Sequence, residues 1–338
     1  MPTRDELKQM QSLPLEVKVL KTKARIKEWV DYYGEDNVYI SFSGGKDSTV
    51  LLDIARQEYP NMKAVFVNTG LEYPEIQSFV RTFDNVEILR PQMRFDEVIK
   101  KYGYPFISKE VSLRVFYARQ NRRYAINALN GKNAKGIDDY YKKQMYSRYK
   151  PLVDVDFVIG NGCCVIMKEK PIEKYAHTQL LATMASESQR REKAWFSTGC
   201  NAWKQGKSKP MSFWTEQDVL EYIKSRNLPI ASVYGEIVEI SNDDINQITF
   251  EGCGKLKCTG CKRTGCIFCG FGAHLDKKDG NETRFERLKR THPKQYDYCM
   301  GGGEYNEQGI WQPNKQGLGM AHCIDKLNKI YGKDFIKY

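Results

Sequence analysis

Between Leu15 and Tyr33, apolar residues recur every three to four positions, the period of an amphipathic helix. Val38 to Phe42 (VYISF) then forms a short apolar run of β-formers, which reads as a buried strand. From Ser48 the helical spacing returns, and Val50, Leu51, Ile54 and Ala55 can share one face. Met62 to Gly70 (MKAVFVNTG) predicts a second strand that closes in a polar turn. Tyr73 to Phe83 predicts a helix with Pro74 near its start, and Asn85 to Arg90 a third short strand. This alternation predicts an α/β fold with a doubly wound, mostly parallel sheet. In such sheets ligands sit beyond the carboxyl ends of the strands. Gly44-Gly45 and Asn68-Thr69-Gly70 both fall there.

Further along, the pattern changes. Lys109 to Lys150 is basic and tyrosine-rich and reads as a helical pair, either a solvated face or a surface for nucleotide or nucleic acid. The stretch from Pro151 predicts another strand ahead of Cys163-Cys164. Trp214 to Pro229 predicts a helix with Thr215 as N-cap and Asp218 in the capping-box position. Cys253 to Cys269 is dense in cysteine. The expected organisation is an N-terminal helical segment (1–35), an α/β domain (36–250) with a basic helical insertion at about 109–150, and a cysteine-rich C-terminal extension (251–338).

The 338 residues are 41% hydrophobic, enough for a substantial core, and no apolar run is long enough to span a bilayer. A charged N-terminus (MPTRDELKQM) argues against a signal peptide, so a cytoplasmic protein without a membrane partner is expected. The net charge of +11 favours polyanionic partners. Ten clustered cysteines without an export signal point to metal or redox chemistry rather than a disulfide framework. His177, His274, His292 and His322 are scattered, and only His274 lies beside the cysteines.

The stretch SFSGGKDS (Ser41–Ser48) lies between strand and helix, where backbone N–H groups and a helix N-terminus bind phosphate. It lacks the spacing of the Walker loop. Lys46 can neutralise a pyrophosphate that the Gly44–Lys46 backbone holds, and Ser41, Ser43 and Ser48 can add hydroxyl donors.

This stretch resembles the PP-loop of the ATP pyrophosphatase superfamily, the PP-loop or adenine nucleotide α hydrolase-like fold. FVNTGLEYPE resembles a turn of the phosphoadenosine phosphosulfate (PAPS) reductase-like family, matching Thr69, Gly70, Pro74 and Glu75, with Asn68 where aspartate is usual. PMSFWTEQDVLEYI resembles a further segment of that family. The resemblance runs from about residue 36 to 270. It implies ATP with Mg²⁺ at Ser41, Ser43, Gly44, Gly45, Lys46, Asp47, Ser48, Thr69, Gly70 and Glu75, with Lys46 and Asp47 as the catalytic pair. Cys163-Cys164 with Lys168 and Pro171, and Cys266-x-x-Cys269, resemble the two cysteine pairs of cluster-bearing adenylyl-sulfate (APS) reductases. That implies a [4Fe–4S] cluster on Cys163, Cys164, Cys266 and Cys269. SESQRREKAW resembles a substrate segment, which with Lys168 implies substrate contacts from Lys168, Glu187 and Arg191.

A second arrangement uses Cys258-x-x-Cys261 with Cys266-x-x-Cys269 as zinc knuckles, with Cys253 just upstream, and a third is a local cluster on Cys261, Cys266 and Cys269. The nucleophilic Glu-Cys-Gly-Leu-His tail of the reductases is absent, and Cys299 and Cys323 read as structural. The expected activity is therefore adenylation of an acceptor with pyrophosphate release, in sulfur metabolism or sulfur transfer. The acceptor is sulfate-like or nucleic acid (tRNA or DNA), with a sulfur or electron donor protein as a further expected partner. The alternatives are a sulfonucleotide reductase that releases sulfite, and a zinc-knuckle nucleic-acid-binding protein on an inactive PP-loop fold.

Overall fold

The computed structural model describes residues 2–173, 175, 178–240, 254–279 and 282–338. His177, Cys253 and the expected domain boundary at 250/251 lie outside the described residues. Contacts divide the chain into two compact units, each assembled from two separate stretches. Residues 1–90 and 172–264 make the first, and residues 91–171 and 265–338 the second.

The first unit opens with α1 (Arg4–Gln11) and α2 (Leu15–Tyr33). One stripe of α2, including Thr22, Ile26, Trp29 and Val30, is buried. Then β1 (Val38–Ser41), α3 (Lys46–Glu58), β2 (Lys63–Val67), α4 (Pro74–Val80) and β3 (Val86–Leu89) follow in the predicted order. Val50, Leu51, Ile54 and Ala55 of α3 have no exposed surface. Burying a Val, Leu or Ile side chain stabilises by about 1.5–3 kcal/mol. That exceeds the roughly 0.7 kcal/mol span of ordinary helix propensities, so packing holds the β-branched Val50 and Ile54 in a helix.

The chain enters the second unit with α5 (Phe95–Tyr102), β4 (Phe106–Ile107), α6 (Lys109–Arg119), α7 (Arg123–Leu129) and α8 (Tyr140–Tyr146), then a 3₁₀ turn over Ser147–Val153. The basic segment is thus three α-helices rather than a pair. The strand expected after Pro151 does not form. Leu152 and Val153 end the 3₁₀ turn, and Phe157 and Ile159 make only single bridges, to Trp311 and Tyr104. Pro151 has no N–H to give to a ladder, and Phe157 and Ile159 bury their side chains without one. Next come α9 (Gly162–Cys164), one π-helical turn (Val165–Glu169) and α10 (Lys170–Glu173).

The first unit resumes with β5 (Thr178–Leu180), α11 (Gln189–Thr198), β6 (Asn201–Ala202), β7 (Lys207–Ser208), α12 (Glu216–Arg226) and the antiparallel pair β8 (Ile237–Ile240) and β9 (Lys255–Cys258). The second unit closes with β10 (Gly270–Phe271), paired in parallel with β4, and with α13 (Arg284–Thr291), α14 (Pro293–Met300) and α15 (Met320–Tyr331).

The sheet of the first unit has the order β3-β2-β1-β5-β7-β6, parallel throughout except that β6 runs against β7. Ile40 of β1 lies between Ala64 of β2 and Leu180 of β5, and all three are fully buried. A strand covered on both faces reads as a continuous apolar run, which is why VYISF shows no alternation. Strand order reverses between β1 and β5. A crevice opens at such a switch point, beyond the carboxyl ends of the strands.

A buried ion pair moors α12. Lys18 is 2% exposed and its Nζ donates to Asp218 Oδ1 at 2.7 Å and to the Gln11 carbonyl at 2.6 Å. Asp218 Oδ2 accepts from Thr215 N at 2.7 Å, completing the predicted capping box. Among the described residues no helix is long and apolar enough to cross a membrane.

Candidate active site at the carboxyl ends of the strands

The residues after β1 turn sharply into α3. Gly44 has φ +70°, and a Cβ there would stand 2.7 Å from Val80 Cγ2 and 2.9 Å from Ile76 Cγ2, so only glycine fits against α4. The Ser43 and Ser48 hydroxyls lie 3.0 Å apart, and Ser48 Oγ donates to the Gly45 carbonyl at 2.9 Å. These bonds hold the turn from within. Gly45 is the N-cap of α3 and no side chain caps the helix, so the first N–H groups stay open to an anion. Ser41 ends β1 opposite Val65.

Charged groups gather at this helix start. Lys46 is 5% exposed, donates to Glu216 Oε1 at 3.2 Å and lies 5.4 Å above the Tyr234 ring. The Tyr234 hydroxyl is 2.6 Å from Thr264 Oγ1. Burial raises the Asp47 carboxyl above the ordinary carboxylate range; Lys46, Arg263 and Arg191 pull it down and Glu216 pushes it further up. Arg191 pairs with Glu187, and Arg263 reaches the same carboxylate at 3.7 Å. Burial and the neighbouring Arg263 lower Arg191, against the pull of Asp47. Glu187 and Arg191 follow the carboxyl end of β5, across the switch point from the loop. Ala185 N bonds the Ser212 carbonyl at 2.8 Å, and Ser186 Oγ bonds the Trp214 carbonyl at 3.0 Å, which moors that segment.

The turn after β2 is closed on itself. Thr69 N and Oγ1 donate to Glu72 at 3.0 and 2.8 Å, and Gly70, with φ +75°, donates its N–H to Asn68 Oδ1 at 3.0 Å. Glu75 lies in the first turn of α4. Glu216, Tyr234, Arg263 and Thr264 belong to the site although sequence reasoning did not place them there. Arg263 lies within CKRTGC, a stretch read only for its thiols, and Glu216 in a segment read for its cap.

The cysteines separate into two sets. Burial raises the thiol of Cys258, at the end of β9, against the pull of the nearby Lys46, and Glu216 and Asp47 push it further up. Cys261 is 3% exposed and lies near Tyr234. Both belong to the first unit. Cys163, Cys164, Cys266 and Cys269 belong to the second, and there Cys163 feels all three of the others. The hydrogen bond between the adjacent thiols acidifies Cys164, aided by Lys109 and Lys168, and raises Cys163. Lys168 is therefore beside the cysteines, on the π-helical turn, while Glu187 and Arg191 are beside the loop. Among the described residues, no three Cys, His, Asp or Glu side chains stand in a geometry that would hold a metal ion, so the four thiols are neighbours without forming a coordination shell. His274 stacks on Phe335 at 5.1 Å. Cys299 and Cys323 have no exposed surface, and burial raises both thiols, so they are packing residues.

Residues 37–110 and 109–270 match the phosphoadenosine phosphosulfate reductase domain. The chain belongs to that family. Within the PAPS reductase domain family it is 25% identical over 214 residues to the adenosine 5'-phosphosulfate reductase of Staphylococcus epidermidis, covering 62% of this chain and 70% of that one. The adenosine 5'-phosphosulfate reductase of Oceanobacillus iheyensis is 24% identical over 216 residues, 61% of this chain and 69% of that one. Two solved structures are also similar. The PAPS reductase of Candida auris, in a phosphate complex, has a TM-score of 0.35 and 13% identity over 69% of this chain and 91% of that one. The U34-tRNA thiolase NcsA of Methanococcus maripaludis, solved with its [4Fe–4S] cluster, has a TM-score of 0.31 and 16% identity over 64% of this chain and 66% of that one.

Proposed function

We propose that this chain binds ATP at the loop after β1 and transfers AMP to an acceptor with release of pyrophosphate, in sulfur metabolism or sulfur transfer. One observation carries the reading: a buried Lys46 at the uncapped start of α3, in a loop whose serines and glycines are all in place. The open N–H groups and Lys46 hold the β,γ-phosphates and stabilise the charge that grows on the leaving pyrophosphate. Arg191 and Arg263 add cations near Asp47, on the β5 side of the crevice. Asp47 and Glu216 are the carboxylates that would hold Mg²⁺, an ion that prefers carboxylate and phosphate oxygens and neutralises the phosphates it binds. Cys163, Cys164, Cys266 and Cys269 are the thiols proposed for a [4Fe–4S] cluster, supported by their convergence within one unit. When bound, such a cluster supplies electron transfer or structural cross-linking.

A second reading, reduction of a sulfonucleotide, is favoured by the family and by the relatives' names. It needs an attacking thiol. Cys299 and Cys323 are sealed in the core, whereas Cys258, beside Lys46, is a partly exposed thiol at the site. Calorimetric competition on anaerobically purified protein, ATP with Mg²⁺ against PAPS and APS, separates the two readings. Binding of ATP, with pyrophosphate released once an acceptor is supplied, supports adenylation. Tighter binding of a sulfonucleotide, with turnover lost in Cys258→Ser, replaces it with reduction.

A further inference from the structure

Residues 109–150 carry eleven Lys and Arg against three acidic residues, most of the chain's net charge of +11, together with six tyrosines. They lie on α6, α7, α8, the connections between these helices and the 3₁₀ turn that follows, within the second unit. Two kinds of tyrosine result. Tyr146 and Tyr149 are buried. Tyr140 and Tyr141 are 71% and 76% exposed, neighbours on the first turn of α8 with ring centres 5.9 Å apart. Tyr124, Ile137 and Met145 are exposed on the same helices and their connection. Leaving this much aromatic and aliphatic surface in water gains nothing for folding.

The cations are interleaved with the rings. Arg114 lies over Tyr124 and Tyr146, Lys142 over Tyr146, and Arg148 over Tyr149, each 4.9 to 5.9 Å from the ring centre. Arg122, Arg123, Lys135, Lys143 and Lys150 are exposed. A purely solvating face needs charge alone. A protein partner of ordinary composition would meet an uncompensated positive field, because only Glu110, Asp138 and Asp139 oppose it. Phosphate for the cations and flat, stackable groups for the tyrosines together describe unpaired nucleic acid.

Next to this face, α6, α8 and the 3₁₀ turn line an open pocket of about 450 Å³ together with β4 and residues 271–275. Its walls include Ile107, Val111, Tyr146, Tyr149 and Phe271, with Lys109 among its polar groups. Ile107 has φ +65°, a conformation a β-branched residue adopts only under strain, which concentrates at functional positions. The volume lies within the roughly 300–1,000 Å³ of small-molecule sites.

We infer that the α6–α8 face of the second unit binds single-stranded nucleic acid, RNA or DNA, with bases stacked on Tyr140 and Tyr141, phosphates on Lys142, Lys143 and Arg148, and one splayed base in the adjoining cavity. The inference rests on the reading that the acceptor is a nucleic-acid group. It adds the surface that holds that acceptor and the requirement that the strand be unpaired, because stacked and paired bases offer no face to the tyrosines.

The test is fluorescence anisotropy on the full-length protein with labelled single-stranded RNA, single-stranded DNA and duplex DNA of one length, at low and moderate salt. Single strands should bind more tightly than the duplex, and the better of the two single strands identifies the acceptor class. Tyr140→Ala with Tyr141→Ala should weaken binding by about tenfold or more. Lys142→Glu with Lys143→Glu should weaken it and flatten the dependence of log Kd on log salt. All four side chains are outside the buried core, so ATP binding by both variants should match the unsubstituted protein and report an intact fold. Absence of binding overturns the inference, as does equal binding of duplex or binding that both variants retain. ATP turnover, measured separately as pyrophosphate release, keeps the two readings apart. A protein that releases pyrophosphate but ignores oligonucleotides has another acceptor. One that binds single strands but never consumes ATP retains this surface and loses the adenylation reading.

Discussion

Asp47 sits where burial disfavours its charge, one residue after the lysine that needs a carboxylate nearby. Its folded-state pKa is raised, so its contribution to stability is fully present below the unfolded value and is lost as pH rises through the folded value. Asp47→Asn should therefore raise the melting temperature near neutral pH, with the gain vanishing in acid, while turnover is lost. Thermal melts across a pH series check the first part and pyrophosphate release the second. Lys46→Ala should abolish turnover and leave the fold intact, because its partner Glu216 is 40% exposed and can be solvated. Circular dichroism together with turnover decides it, and unchanged turnover would end the loop's catalytic role. Gly44 and Gly70 share a left-handed backbone but not a neighbourhood. Gly70→Ala meets nothing within 4 Å and should cost only about 1–2 kcal/mol of conformational strain. Gly44→Ala adds contacts under 3 Å with Ile76 and Val80 and should cost more, read as a lower denaturant midpoint.

At the scale of elements, α12 depends on a charge pair that periodicity does not reveal. Lys18→Met leaves Asp218 buried without its cation and should destabilise by about 3–5 kcal/mol. Lys18→Met with Asp218→Leu should recover most of that, short of about 1 kcal/mol for the lost cap. Urea midpoints of the single and double variants measure the difference. The π-helical turn after Cys164 offers a second check. Lys109 and Lys168 help to keep the Cys164 thiol acidic, so metal-free protein should be alkylated there with a pH midpoint below the ordinary thiol range, and Lys109→Ala should move that midpoint up. Both helices carried readable signals, a capping box and a cysteine pair. Their partners did not, because Lys18 and Lys109 come from distant parts of the chain.

Across the whole molecule, cysteines about a hundred residues apart meet in one unit, while Cys258 and Cys261 lie with the loop after β1. Cys163→Ser should lower iron content and visible absorbance in anaerobically prepared protein, whereas Cys258→Ser should leave both unchanged. A fully loaded Cys163→Ser protein would transfer the proposal to the thiols near Cys261.

The alternation of strands and helices through β3, the glycine turn that leads into α3 and the cap of α12 were legible in the sequence, because periodicity, glycine turns and caps act over a few residues. The resemblance of its motifs also named the family. Only the tertiary structure decided that β5 rather than the stretch after Pro151 pairs with β1, and that reversal is what makes the switch point. It also brought Glu216, Tyr234 and Arg263 to Lys46 and Asp47, and it built each unit from two separate stretches. These outcomes rest on contacts between residues far apart along the chain, where buried area and charge pairing choose among partners that local pattern leaves equivalent.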